Sequence, residues 1–121
     1  MQGKIAGASV ALFITTGIAF AATAGRMAPK DVEKTFFNGQ PFTASTPGNV
    51  KFRMVFTPDG KMTREPLSKS GAKSEGTWKL SQDGFCTTWK GSKQNCYQLR
   101  TSASNKWSVI SGTTAVAYWS K

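Results

Sequence analysis

From Val50 onward, apolar side chains fall on every second position, and turn residues interrupt them at short intervals. Val50, Phe52, Met54 and Phe56 alternate with Lys51, Arg53 and Val55, which is the pattern of a strand with one face buried. Thr57-Pro58-Asp59-Gly60 ends the run; proline presets one turn angle and glycine accepts the positive one. Lys61 to Glu65 returns as the partner strand, and Pro66 to Ser74, rich in Ser, Lys and Gly, reads as an exposed loop. Gly76 to Leu99 supplies further hairpin strands, and Trp107 to Ser111 and Thr113 to Trp119 supply the last. Strands at this spacing imply an antiparallel meander. So short a chain buries one face of a meander only by curling it into a small up-and-down barrel or a strongly coiled sheet, which also protects the edges.

The segment before the strands reads differently. Pro29 opens a short helix that runs through Asp31, Val32, Glu33 and Lys34 to Phe36-Phe37, with its acids near the start and Asn38-Gly39 at its end. Val32, Phe36 and Phe37 form its buried side. Farther upstream, Met1 to Lys4 is basic, Ile5 to Ala21 is apolar or small, and Ala22-Thr23-Ala24 has the small-x-small form that signal peptidase reads. Ala19-Phe20-Ala21 is a second cleavage candidate. Ile5 to Ala24 is also about long enough to span a bilayer, but Gly7, Gly17 and the lack of a strong basic cluster after it favour cleavage. The expected organisation is a signal peptide over 1–24 and a single β domain over 25–121. No membrane-spanning segment would remain after cleavage, and the protein would be periplasmic or secreted.

The chain carries 16 Lys+Arg against 6 Asp+Glu, a formal net charge of +10. Loss of Lys4 with the signal leaves +9 (15 minus 6). Such a domain attracts anions, although the same charge also serves solubility alone. The chain has no histidine. His is the usual general base near neutral pH and the commonest metal ligand, so Ser-His-Asp and Cys-His machinery and the usual zinc sites are excluded. Asp59 and Asp83 are accounted for by turns. Glu65 and Glu75 are the carboxylates that would have to pair across the Pro66–Ser74 loop for glycosidase chemistry. Each has lysines nearby to balance it. The expectation is a non-enzymatic protein with no metal and no cofactor.

Cys86 and Cys96 stand ten positions apart within GTWKLSQDGFCTTWKGSKQNCYQL. If Asp83-Gly84 is a two-residue hairpin turn, Trp78 lies opposite Trp89 and Leu80 opposite Thr87. Alternation alone puts Phe85 and Trp89 on one face and Cys86, Thr88 and Lys90 on the other. Placing Cys86 opposite Cys96 makes Phe85 meet Tyr97 on the aromatic side. In an exported chain this pair is most simply one structural disulfide, worth ~2–3 kcal/mol by loop entropy. Redox chemistry would call for a C-x-x-C or a helix start, and a metal site for more soft ligands.

Together with Pro58-Asp59-Gly60, the set Gly76-Thr77-Trp78, Asp83-Gly84, Cys86, Trp89 and Cys96 resembles a family of small exported proteobacterial proteins catalogued as domain of unknown function 995. The resemblance covers about residues 31–99, with Gly39 and Gln40-Pro41-Phe42 at the helix-to-strand step. It implies fold and compartment and brings no activity with it. Gly76-x-Trp78 is also similar to a motif of lipocalin and avidin-like barrels, in which the tryptophan plugs one end. There the motif comes early and here it falls mid-sequence, so the similarity is one of architecture. It implies a lipocalin/calycin-like barrel with room for a small apolar ligand.

Three functions are weighed on these residues. Lys51, Arg53, Lys79, Lys90, Lys93, Arg100 and Lys106 fall mainly on outward positions, where neighbouring strands would join them into a basic face for an anionic envelope lipid or glycan. Alternatively, Trp78, Trp89, Tyr97 and Trp107 line a small-ligand pocket, although aromatics in a small β domain, Trp119 included, are more often core. Tyr118 and Trp119, near the end of the sequence, are expected to be partly exposed. A third reading is an accessory or inhibitor protein that docks on another exported protein through Lys69-Ser70-Gly71-Ala72-Lys73. Nucleic acid is disfavoured because the pattern separates the aromatics from the cations. All three readings share one expectation: an exported binding module.

Overall fold

The computed structural model describes residues 25–68 and 71–121. The expected signal peptide, its cleavage site, and Lys69 and Ser70 of the docking loop lie outside the described residues. Helix α1 (Pro29–Phe36) has proline at its first position, Asp31 in its first turn and Lys34 in its last. Asn38 closes it by donating from Nδ2 to the Lys34 carbonyl at 2.9 Å. Eight residues are too few for a helix to persist alone in water. It holds because Val32, Phe36 and Phe37 are 0%, 0% and 1% exposed against the strands.

Eight antiparallel strands follow: β1 (Phe42–Ser45), β2 (Lys51–Phe56), β3 (Lys61–Pro66), β4 (Ser74–Leu80), β5 (Phe85–Trp89), β6 (Gln94–Ala103), β7 (Lys106–Ser111) and β8 (Thr114–Ser120). Each pairs with the next, and β8 pairs with β1 through Thr43–Ser120, Ala44–Trp119 and Ser45–Tyr118, so the sheet is a closed barrel. This is a lipocalin-like architecture with a short helix in front. Closure leaves no free edge among these strands. No helix of the described residues is long and apolar enough to cross a membrane.

The helix covers one end of the barrel. Phe36 packs edge-on against Phe42, Trp107 and Trp119 at ring separations of 5.0, 4.8 and 5.0 Å. Phe37 meets Phe56, Trp78 and Phe85 at 4.7, 4.4 and 5.5 Å. Trp78 ties the β2–β3 turn to this cluster, with Nε1 donating to the Thr57 carbonyl and its backbone N–H to the Gly60 carbonyl, both at 2.8 Å. Burial of each such side chain contributes about 1.5–3 kcal/mol.

The disulfide joins Cys86 to Cys96 as directly opposed residues, with Phe85 facing Tyr97 one step along. The preceding turn differs from expectation. Pairs Gly76–Trp89, Trp78–Thr87 and Leu80–Phe85 centre it on Gln82-Asp83, one residue earlier than Asp83-Gly84. Ser81 and Gly84 close it, through Ser81 N–H to the Gly84 carbonyl at 2.9 Å and Gly84 N–H to Ser81 Oγ at 3.1 Å. Opposed partners move by two positions, so every side chain keeps its face. Gly84 is needed for a different reason than turn geometry: a Cβ there would lie 2.0 Å from the Tyr97 carbonyl oxygen of β6.

Two further expectations are corrected. Trp119 is 4% exposed and belongs to the core, while Tyr118 is 42% exposed. Closure of β8 onto β1 turns alternate residues inward, so adjacency to the end of the sequence does not expose Trp119. Val50 is 50% exposed and lies outside β2. It is held in the β1–β2 loop by its N–H to Thr46 Oγ1 and its carbonyl to Thr46 N–H.

Candidate ligand cavity

The β1–β2, β3–β4, β5–β6 and β7–β8 connections lie at the end opposite the helix, and among the described residues no helix covers that end. A cavity of about 210 Å³ opens there into the barrel. Its walls include Phe52, Met54, Phe56, Trp89, Tyr97, Val109 and Trp119, all on inward positions of their strands. Space exists because two other inward positions, Ala44 and Ala117, carry small side chains. Phe56 and Trp119 also touch Phe37, so the cavity floor is the other side of the plugged end. Thr87, 5% exposed, contributes a polar side chain to the lining.

Arg64 is the charged residue of this lining. It pairs with Met54 and follows Met62 by two, so alternation turns it inward between β2 and β4. Its guanidinium carbon lies 4.4 Å from the Trp89 ring centre and 5.2 Å from that of Phe52, within the range of a cation–π contact. Among the described residues, no carboxylate comes within 4.0 Å of this guanidinium and no hydrogen bond engages it. Arg53, pointing outward on β2, instead pairs with Glu65 at 3.5 Å, an exposed pair worth little. Arg64 also borders a polar vestibule of about 410 Å³ shared with Lys73, Glu75 and Lys90.

Gly76 shapes this side of the barrel. A Cβ there would lie 2.5 Å from the Thr88 carbonyl oxygen and 2.7 Å from Met62 Cε, so β4 and β5 approach closely just where Trp89 sits. Of the four pocket candidates, Trp89 and Tyr97 line the cavity, whereas Trp78 and Trp107 stand at the plugged end against Phe37 and Phe36. Arg64 was not among the candidates. The signal for it was parity, since Met62 and Arg64 share a face of the return strand.

The seven candidate cations are all exposed. Strand register places four of them on one part of the wall, along rows that run Lys51, Ser45, Tyr118, Ser108, Arg100 and Arg53, Thr43, Ser120, Lys106. Lys51 and Lys106 border an open groove of about 390 Å³ with Tyr118 and several hydroxyl side chains. Lys79 lies on β4 opposite Cys86, and Lys90 and Lys93 lie in the β5–β6 connection. Glu65 is engaged by Arg53 and Glu75 borders the vestibule. Among the described residues, no group of three or more His, Cys, Asp or Glu is placed to hold a metal ion. Comparison of the chain with protein-family models, curated proteins and solved structures finds no match.

Proposed function

We propose that this chain is an exported, non-enzymatic carrier or receptor whose barrel takes a small, largely apolar molecule at its unplugged end. The observation that carries this reading is the aromatic-walled cavity of about 210 Å³ facing away from the helix. An apolar cavity of roughly 150 Å³ already holds benzene, so the space suits one ring or a short chain. Filled pockets of this kind are mostly apolar with a few placed polar groups, as here with Thr87 and Arg64. The signal-like Met1–Ala24 segment and the motif resemblance support export, and the disulfide fits an oxidising compartment.

The test is binding of toluene and benzyl alcohol, followed through the fluorescence of Trp89 and Trp119. Saturable binding is expected in the unchanged protein. Ala117→Leu places a larger side chain in the cavity, and binding should fall about tenfold or more while thermal stability holds or rises. Absence of saturable binding to the unchanged protein overturns the reading.

A second reading, recognition of an anionic envelope glycan or lipid, is favoured by the Lys51–Lys106 groove with its exposed Tyr118. Binding through that wall must weaken as salt rises; affinity indifferent to salt overturns it.

A further inference from the structure

We propose that Arg64 makes the cavity selective for small organic acids: an aromatic or short aliphatic body enters the barrel, and its carboxylate docks on the Arg64 guanidinium. This rests on the cavity reading above and names its ligand class. Three observations lead to it. Arg64 is on an inward strand position and borders both the apolar cavity and the polar vestibule. Its guanidinium carbon lies over the Trp89 and Phe52 rings, contacts that use none of its N–H donors as hydrogen bonds to oxygen, and among the described residues nothing takes those donors up. A planar fork of this kind pairs with a carboxylate through two parallel hydrogen bonds.

The surroundings select further. Lys73 and Lys90 border the same vestibule, beside Glu75, and the chain's charge of +10 draws anions toward it. The aromatic walls beyond Arg64 reject a hydrated inorganic anion, because they offer it no compensating hydrogen bonds. The volume limits the body to about one ring or a short chain. A phenyl-substituted or medium-chain monocarboxylate satisfies all three constraints.

The experiment compares phenylacetate with its neutral isostere phenylacetamide by calorimetry, with toluene as an uncharged reference. In the unchanged protein the acid should bind about tenfold or more tighter than the amide, as expected for a charge-assisted bidentate contact. Arg64→Met keeps an apolar contact on Trp89 and should abolish the acid's advantage, so that the acid binds no tighter than the amide. Arg53→Met, which removes an outward cation, should leave the acid-to-amide ratio intact. Equal affinity for acid and amide in the unchanged protein overturns the Arg64 assignment and leaves the cavity standing. So does a ratio that survives Arg64→Met, or one that falls as far in Arg53→Met. If toluene fails to bind the unchanged protein, the cavity reading itself falls.

Discussion

The two ends of the barrel are made from the same strands, yet they differ in what meets the inward side chains. At the helix end, Phe42, Phe56, Trp78, Phe85, Trp107 and Trp119 converge on Phe36 and Phe37. At the other end, Phe52, Trp89 and Tyr97 face one another across Ala44 and Ala117, with a cation among them. An eight-stranded barrel has an interior just wide enough to be filled by side chains or to hold one small ligand. This chain is filled by side chains at the helix end and keeps a cavity of about 210 Å³ at the other. Stability belongs to the first and the proposed recognition to the second, in line with the general rule that binding regions come from the less densely packed parts of a fold.

The sharpest way to break this division is to remove the plug. Phe37→Ala deletes a side chain that is 1% exposed and in ring contact with Phe56, Trp78, Phe85 and Trp119. A change of this class costs about 3–5 kcal/mol, a large share of what a small domain has. Chemical denaturation should show the midpoint collapse. By contrast, a half-buried cavity residue such as Phe52 should tolerate Phe52→Leu at less than about 1.5 kcal/mol. Equal losses at the two positions would refute the division.

Next in size is the Cys86–Cys96 clip, which spans β5 and β6 beside the cavity residues Thr87 and Tyr97. Reduction should lower stability by about 2–3 kcal/mol and the melting temperature by on the order of 10 °C. Amide exchange should rise first in β5 and β6 and last around α1. An unchanged melting temperature on reduction would show that the clip adds nothing to the open end.

The pattern of legibility follows the same division. Val32, Phe36, Phe37, the β2–β3 hairpin and the cysteine pairing were readable because helical spacing, alternation and turn residues are local signals. β1 is only four residues, Phe42–Ser45, too short for alternation to stand out, and its partner β8 lies at the far end of the chain. Barrel closure, and with it the burial of Trp119, therefore depends on a pairing that no local window contains. Gly84 reads as a turn glycine and proves to be a point of close approach to β6. Arg64 was hidden by composition: Thr63-Arg64-Glu65 looks like a solvated strand, and only its parity with Met62 turns the arginine inward. An apolar pattern shows what must be buried, but a cation in a cavity has no pattern of its own.

The smallest expected effect lies in the β2–β3 turn at the plugged end. Asp59 Oδ1 accepts from the Thr57 hydroxyl and, at 3.2 Å, from the Lys61 N–H. The Thr57 hydrogen bond, aided by Lys61, holds the Asp59 carboxyl below its ordinary value. A carboxyl whose pKa is depressed by folding stabilises the native state above its unfolded pKa, and that contribution is lost as pH falls through the folded value. Acidification through the range below about pH 4 should therefore loosen this turn, and Asp59→Asn should remove that part of the pH dependence. Because the carboxyl is fully exposed, the change should be confined to the turn and be visible in the Gly60 and Lys61 amide signals. The Trp78 indole bond to Thr57 ties that turn to the aromatic plug, so its N–H resonance reports whether the disturbance spreads. A shift confined to the turn would mean that the plug is held by Phe36 and Phe37 and not by the loop that decorates it. A matching shift in Trp89 at the far end would mean that the two ends are coupled and that their separation into stability and recognition is incomplete.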